Sequence, residues 1–351
     1  MIEHFKNIIS NRLSLGSLIL WFFLALSIVI VYGCSHNSQA QNQFSLGVPI
    51  KCSTGENCFI LLYSDRDPSE QARDFNCGFL TYNGHKGTDF AITDTTVMEK
   101  GIPVIASADG VVLRTRDGVE DKRITSPDKK IDVEGKECGN GVVIDHGDGW
   151  QTQYCHLRKD SVQVKSGQKI SQGETLGFIG MSGLASFPHV HLTLTHDGQV
   201  IDPFVGLNGS NGSTSCDDDR KREPLWNQNL PYKPTGLIRA GFSSQPPKMG
   251  ELWDGEFTPS TIIDDPPMLL FWSQVYGVMV DDEESMELID PQGNVVAQSK
   301  QKISQRRKLW LRYIGKRAKN QPFIKGKWRG KYQLKRSGKI LVNITQDFKL
   351  G

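Results

Sequence analysis

Apolar and polar positions divide the chain into three regimes. From Ser14 to Gly33 no charged residue interrupts a run that contains Leu18-Ile19-Leu20-Trp21-Phe22-Phe23-Leu24. At about 20 residues it is long enough to span a bilayer as a helix. From Cys58 onward the apolar residues come in short bursts between turn residues: Phe59-Ile60-Leu61-Leu62-Tyr63, Val104-Ile105-Ala106, Val111-Val112-Leu113, Gly141-Val142-Val143-Ile144 and Gln151-Thr152-Gln153-Tyr154. Such bursts predict β-strands, and the last two predict a hairpin turning at Asp148-Gly149. No amphipathic helical period of any length interrupts them, so the region is predicted to be an antiparallel β-sheet layer. Residues 116–137, rich in Asp and Lys, break it as a long loop, a feature that in compact domains is usually functional or disordered.

The third regime follows Asp202-Pro203-Phe204. Asn208-Gly209-Ser210-Asn211-Gly212-Ser213-Thr214-Ser215 has the composition of a flexible linker, and residues 225–265 are Pro-rich and irregular. Beyond them Met268–Trp272, Ser285–Ile289, Leu309–Tyr313, Gly330–Leu334 and Lys339–Val342 read as short strands, with turns at Pro291-Gln292-Gly293-Asn294 and Ser337-Gly338. Regular spacing of that kind predicts a small β-sandwich. The expected organisation is a membrane segment over 1–34, a polar spacer over 35–46, a β-domain over 47–215, a linker over 216–265 and a second β-domain over 266–351. A length of 351 residues suits a membrane segment plus about two domains.

The net charge of +2 says little, but its distribution says more. Lys6 and Arg12 precede the apolar run and no basic residue follows it until Lys51, which places the N-terminus in the cytoplasm and exports the rest. Val31-Tyr32-Gly33-Cys34 reads as a lipoprotein processing site, so a lipid on Cys34 and an uncleaved signal anchor stand as alternatives. Either tethers the chain to the membrane on the periplasmic side of the cell envelope. Cysteines agree with export: besides Cys34 there are Cys52, Cys58, Cys77, Cys138, Cys155 and Cys216, an even number in a compartment where oxidation is the default. Cys138 and Cys155 fall near opposite positions of the predicted hairpin and are expected to bridge, while Cys216 is expected to bridge back to Cys52, Cys58 or Cys77.

From Lys300 onward nearly every charge is positive and Asp347 is the only acid, whereas Asp281, Asp282, Glu283 and Glu284 lie just before. A basic face interleaved with Trp310, Tyr313, Trp328 and Tyr332 suits an anionic glycan polymer; pairing with the acidic stretch is the alternative. The second β-domain is then expected to hold substrate without taking part in bond cleavage. Nucleic acid is not expected among the partners.

The chemistry sits in Gly84-His85-Lys86-Gly87-Thr88-Asp89 and, a hundred residues on, Phe187-Pro188-His189-Val190-His191-Leu192. A catalytic zinc needs three protein ligands and an open fourth position, and His85, Asp89 and one of the two later histidines make such a set. In a strand, side chains at i and i+2 share a face, so His189 and His191 address the same point: one can bind, the other can do proton work. The H-E-x-x-H motif of helical metalloproteases is absent, so the base must be histidine. His156 follows Cys155 directly, and neighbours on a strand point to opposite sides, which excludes a Cys–His nucleophilic pair. His146, at the hairpin turn, and His196, before Gly198-Gln199, are expected to be a turn-capping and an exposed histidine.

Taken together, His85…Asp89, His156-Leu157, His189-Val190-His191 and Asp202-Pro203 resemble the motifs of the lysostaphin-like (LytM-type) zinc endopeptidases of cell-wall metabolism, over roughly residues 78–205. The resemblance implies a mainly β fold with a duplicated antiparallel β-sheet groove, and one Zn2+ per chain on His85, Asp89 and His191. It also implies that His156 and His189 polarise water and stabilise the oxyanion during hydrolysis of peptidoglycan cross-links. Some members of that family have lost their ligands and regulate other wall hydrolases, which leaves a non-catalytic wall-binding or regulatory module as the alternative. A zinc peptidase acting on exported proteins would use the same site.

Overall fold

A computed structural model of the chain describes residues 44–52, 57–126, 131–207, 222–257, 262, 264–319 and 321–351. The N-terminal apolar run, Cys34, the 208–215 stretch and Cys216 lie outside them. Among the described residues no helix is long and apolar enough to cross a membrane. Ser45–Gly351 form one compact unit.

The elements of its first part are β1 (Cys58–Leu62), β2 (Thr88–Ile92), α1 (Thr95–Lys100), β3 (Pro103–Ile105), β4 (Gly110–Arg116), β5 (Asn140–Gly147), β6 (Trp150–Leu157), β7 (Lys169–Ile170), β8 (Thr175–Phe178), β9 (His189–His196) and β10 (Gln199–Ile201). One antiparallel sheet runs β1-β2-β9-β6-β5-β4-β7, with β10 on β9, and β3 pairs separately with β8. The expected hairpin is β5–β6. Asp148 and Gly149 carry it with φ of 47° and 81°, the left-handed pair whose twist matches that of the flanking strands. Strand β9 explains how the sheet presents chemistry. Val190, Leu192 and Leu194 are buried, each worth about 1.5–3 kcal/mol of apolar burial, so alternation turns His189, His191 and Thr193 to the other face.

The second part consists of β11 (Gly236–Ser243), α2 (Met249–Trp253), β12 (Met268–Val278), β13 (Glu283–Ile289), β14 (Val295–Lys302), β15 (Arg307–Arg317), β16 (Gly326–Arg336) and β17 (Lys339–Leu350). The sheets β11-β12-β15 and β14-β13-β16-β17 share one apolar cluster that includes Phe242, Phe271, Met286, Leu288, Trp328 and Tyr332. Trp328 and Tyr332 are therefore core residues and offer no stacking surface to a polymer. Part of the basic run is paired: Arg336 with buried Asp282 and Arg312 with Glu284, both in the acidic stretch that the alternative reading named, and, outside that stretch, Lys331 with Glu287 and Lys327 and Arg329 with Asp347.

The expected boundaries shift in two places. Leu46, placed in the spacer by sequence, is buried, and its N–H donates to Leu225 O at 2.7 Å. Within the stretch expected to be a linker, Trp226 packs on Phe90 and Phe204, Tyr232 packs on Tyr63 and Phe75, and β11 pairs with β12. Aromatic rings of this size bury too much surface to serve as a solvated tether.

Candidate metal centre

Register brings the metal-ligand candidates together. Asp89 on β2 lies directly opposite His191 on β9, and Cys155, next to His156, lies opposite His191 from the β6 side. Directly opposite residues of antiparallel strands have Cβ atoms about 4.5–5.5 Å apart, so three strands bring their chemistry to one spot. Gly87 makes room for it: a Cβ there would meet His191 Nε2 at 2.6 Å and Leu192 O at 2.4 Å.

His85 Nε2, Asp89 Oδ1 and His191 Nδ1 converge, with His85 Nε2 3.2 Å from Asp89 Oδ1, His191 Nδ1 2.8 Å from Asp89 Oδ1, and His85 Nε2 3.2 Å from His191 Nδ1. Two ligands about 2.0–2.1 Å from a tetrahedral zinc would stand about 3.3 Å apart, which these separations approach. The hydrogen-bond partners behind the rings orient them, and for His85 the partner also sets the tautomer. His85 Nδ1 is 2.7 Å from Tyr63 O, and a carbonyl only accepts, so Nδ1 carries the proton and Nε2 the lone pair. His191 Nε2 is 3.0 Å from Thr193 Oγ1, a hydroxyl that can donate or accept, and this contact turns Nδ1 toward the centre. Two imidazole nitrogens and a carboxylate oxygen thus face one another, an arrangement that a cation between them would satisfy. The donor set fits zinc.

The two other histidines stand beside this set. His189 Nδ1–H donates to Phe187 O at 2.8 Å, and its Nε2 lies 3.6 Å from Asp89 Oδ1. His156 Nδ1–H donates to Ser182 O at 2.8 Å, and its ring centroid is 4.6 Å from that of His189. His156 adopts φ 64°, a left-handed conformation that costs a non-glycine residue about 1–3 kcal/mol unless its surroundings enforce it. They do: its N–H donates to Cys138 O at 2.8 Å, its carbonyl accepts from Gly180 N at 3.0 Å, and Cys155 is disulfide-bonded to Cys138.

Electrostatics separate the roles. Burial pushes His156 well below the usual imidazole range, with His189 and His191 adding to the effect. Burial also lowers His189, partly opposed by the Asp89 carboxylate. Both rings are therefore neutral near neutral pH, with unprotonated Nε2. Asp89 is held well below the usual carboxylate range: burial alone would raise it, but His85 and His189 outweigh that. His85 is pushed down by burial and raised on balance by Asp89.

The five residues singled out in the sequence are thus brought to one place, while His146 and His196 are not. His146 Nδ1–H donates to Asp109 O at 2.6 Å, and its Nε2 is 2.7 Å from Thr152 Oγ1. His196, expected to be exposed, is half-buried against Trp150 with ring centroids 4.4 Å apart. Cys138–Cys155 is bridged as expected. Cys52 bonds to Cys58, which removes both as partners for Cys216, and Cys77 is also disulfide-bonded. Sequence reasoning missed Thr193 and Phe187, two positions from His191 and His189, where period-two spacing would have flagged them. It also missed the carbonyls of Tyr63 and Ser182, which carry no side-chain signal, and Tyr82, whose ring stacks on His85 at 4.4 Å.

Comparison with known proteins agrees with the motifs. The model of peptidase family M23 matches residues 83–203. The peptidoglycan DD-endopeptidase ShyA of Vibrio cholerae is 38% identical over 117 residues, 33% of this chain and 21% of that protein. The DD-carboxypeptidase/endopeptidase Mpg of Neisseria meningitidis is 32% identical over 123 residues, 35% of this chain and 23% of that protein. The matched segment thus spans only about a fifth to a quarter of these relatives. A solved zinc-containing peptidase from Vibrio cholerae aligns at 26% identity over 42% of this chain and 39% of that one, with a TM-score of 0.27. Residues 83–203, about a third of the chain, thus match peptidase family M23, and the histidine and aspartate motifs that resemble the lysostaphin-like metallopeptidases all fall within that segment.

Proposed function

We propose that the chain is a zinc-dependent endopeptidase that hydrolyses the peptide cross-links of peptidoglycan in the cell envelope. The observation that carries this reading is the convergence of His85 Nε2, Asp89 Oδ1 and His191 Nδ1 beside two buried neutral imidazoles. Zinc held by that set would polarise the scissile carbonyl and lower the pKa of a water to about 7. The flanking residues supply the proton transfers. Because Nδ1–H of both His156 and His189 is committed to a backbone carbonyl, Nε2 of a neutral ring begins as an acceptor. The ring that takes the water's proton becomes an imidazolium, which can then donate to the oxyanion and return the proton to the leaving amine.

Peptidoglycan as substrate is supported by the family and by the names of the relatives. A place outside the cytoplasm is supported by the Cys52–Cys58 and Cys138–Cys155 disulfides, which persist in oxidising compartments. A tether through the N-terminal segment or a lipid on Cys34 belongs to the same proposal. The test is digestion of purified peptidoglycan by the chain from Gln41 onward, with and without chelator, the products being identified by mass spectrometry. Chelator-sensitive loss of cross-linked dimers is expected; intact dimers alongside cleavage of an unrelated exported protein would replace the substrate, and no hydrolysis of either would favour the regulatory alternative.

A further inference from the structure

Arg306 and Lys308 have no side-chain hydrogen bond or ion pair to any described residue, and among the described cations of the basic run they are set apart by lying over aromatic rings. Lys308 reaches across to a ring that walls the metal centre, and Arg306 lies beside it over a second ring. The Arg306 guanidinium lies 5.5 Å over the Phe79 ring and Lys308 Nζ lies 6.0 Å over the Tyr82 ring, and Tyr82 itself stacks on His85 at 4.4 Å. Residues at i and i+2 of an extended segment share a side, so both cations point the same way at the start of β15, while Arg307 turns to Gln305. The nearby carboxylate does not consume Lys308: Asp65 accepts the N–H groups of Asp67, Arg73 and Gly84. Lys308 is half-buried, and burial together with Arg306 lowers its pKa; two like charges held close and partly dry gain from a shared anion. Tyr82, at 48% exposed, leaves the approach open.

We infer that Arg306 and Lys308 form a carboxylate-binding subsite on the rim of the metal centre, through which the second β-domain positions an anionic peptide substrate. The inference rests on the peptidase reading and deepens it. An extended peptide advances about 3.3–3.6 Å per residue, so a carboxylate held at Lys308 belongs to a residue about two or three positions from the scissile bond. Cross-linked stem peptides bearing a free carboxylate at that range are the substrate class that would fit. Phe79 and Tyr82 would brace the peptide between the two cations and His85.

Binding is measured first, on the metal-free full exported chain, by anisotropy of a labelled cross-linked stem-peptide dimer with its carboxylates free and of the same dimer amidated. The native chain is expected to prefer the free form by about tenfold or more, within the range of a charge-assisted hydrogen bond, with the preference shrinking as salt rises. Arg306→Ala/Lys308→Ala should abolish the preference, Lys308→Arg should retain it, and melting temperature and zinc content should stay unchanged. In the loaded enzyme the double variant should raise KM about tenfold on the free dimer, leave kcat within about twofold and leave the amidated dimer unaffected. Equal affinity of the native chain for both dimers, or a preference that survives in the double variant, overturns the inference. If the preference is present but neither dimer is cut, the subsite stands and the peptidase reading falls.

Discussion

Trp253, at the end of α2, packs its indole against Phe187 with ring centroids 5.5 Å apart, and Phe187 lies 4.4 Å from His189 while accepting its Nδ1–H through the backbone carbonyl. The second part of the chain thus reaches a proposed catalytic histidine through a single aromatic ring. A salt bridge from Arg239 to Asp94 at 2.6 Å and one from Arg123 to Asp254 at 2.7 Å fix the same junction, and Arg239 also donates to Leu252 O at 2.7 Å.

This contact changes what truncation should do. From sequence, the second β-domain was expected to leave bond cleavage untouched. Its packing predicts instead that a chain ending near Cys216 is less stable and impaired even on small soluble muropeptides. Trp253 is only 2% exposed, and Trp253→Ala should cost about 3–5 kcal/mol of stability and lower kcat more than it raises KM. Full kcat in a folded truncated chain would show that the Phe187 contact is incidental.

The disulfide next to His156 should be measurable by its loss. Replacing Cys138 and Cys155 together with Ser is expected to lower unfolding free energy by about 2–5 kcal/mol. Activity should fall as well, because the bridge helps enforce the left-handed backbone of His156. Peptide mapping under non-reducing conditions should recover Cys138 with Cys155 and Cys52 with Cys58; free thiols at these positions would contradict the assignment.

Asp202, 3% exposed, accepts Phe204 N–H at 2.9 Å through Oδ1, and its Oδ2 has no hydrogen-bond partner. Burial pushes its pKa up to about 6, despite the lowering effect of the Phe204 N–H. The unfolded carboxyl titrates near 3.9, so between about pH 4 and pH 6 the folded state holds a proton that the unfolded state has lost. Stability therefore falls as pH rises through that window and levels off above it. About two units correspond to roughly 3 kcal/mol. Asp202→Asn should flatten the slope and be the more stable form at about pH 7, as read by chemical denaturation across that range. An unchanged slope in Asp202→Asn would remove Asp202 as its source.

How much of this was legible in sequence follows from range. Period two in His189–His196 and turn chemistry at Asp148-Gly149 are local signals, and both appear in the fold as expected. The five candidate site residues were legible because a metal site demands particular side chains at particular spacings. The junction was not, because Trp226, Tyr232 and Trp253 lie in Pro-rich sequence without a period, where only tertiary packing reveals a partner. Strand β14 escaped because Val295–Lys302 is half-exposed and polar, with little apolar alternation to read. For the basic run, sequence could not decide between polymer binding and pairing. Register decided for several cations by setting Glu287 opposite Lys331 and Arg329 opposite Asp347.

Zinc content, by mass spectrometry of the metal, measured beside turnover in His191→Ala and His189→Ala, separates the metal ligands from the histidines beside them. One zinc per native chain is expected, with metal and activity both lost in His191→Ala. His189→Ala should keep its zinc while turnover falls by about 100 to 1,000-fold, the scale on which a single positioned donor acts. Zinc lost in His189→Ala but retained in His191→Ala would contradict the ligand set and reverse the two roles.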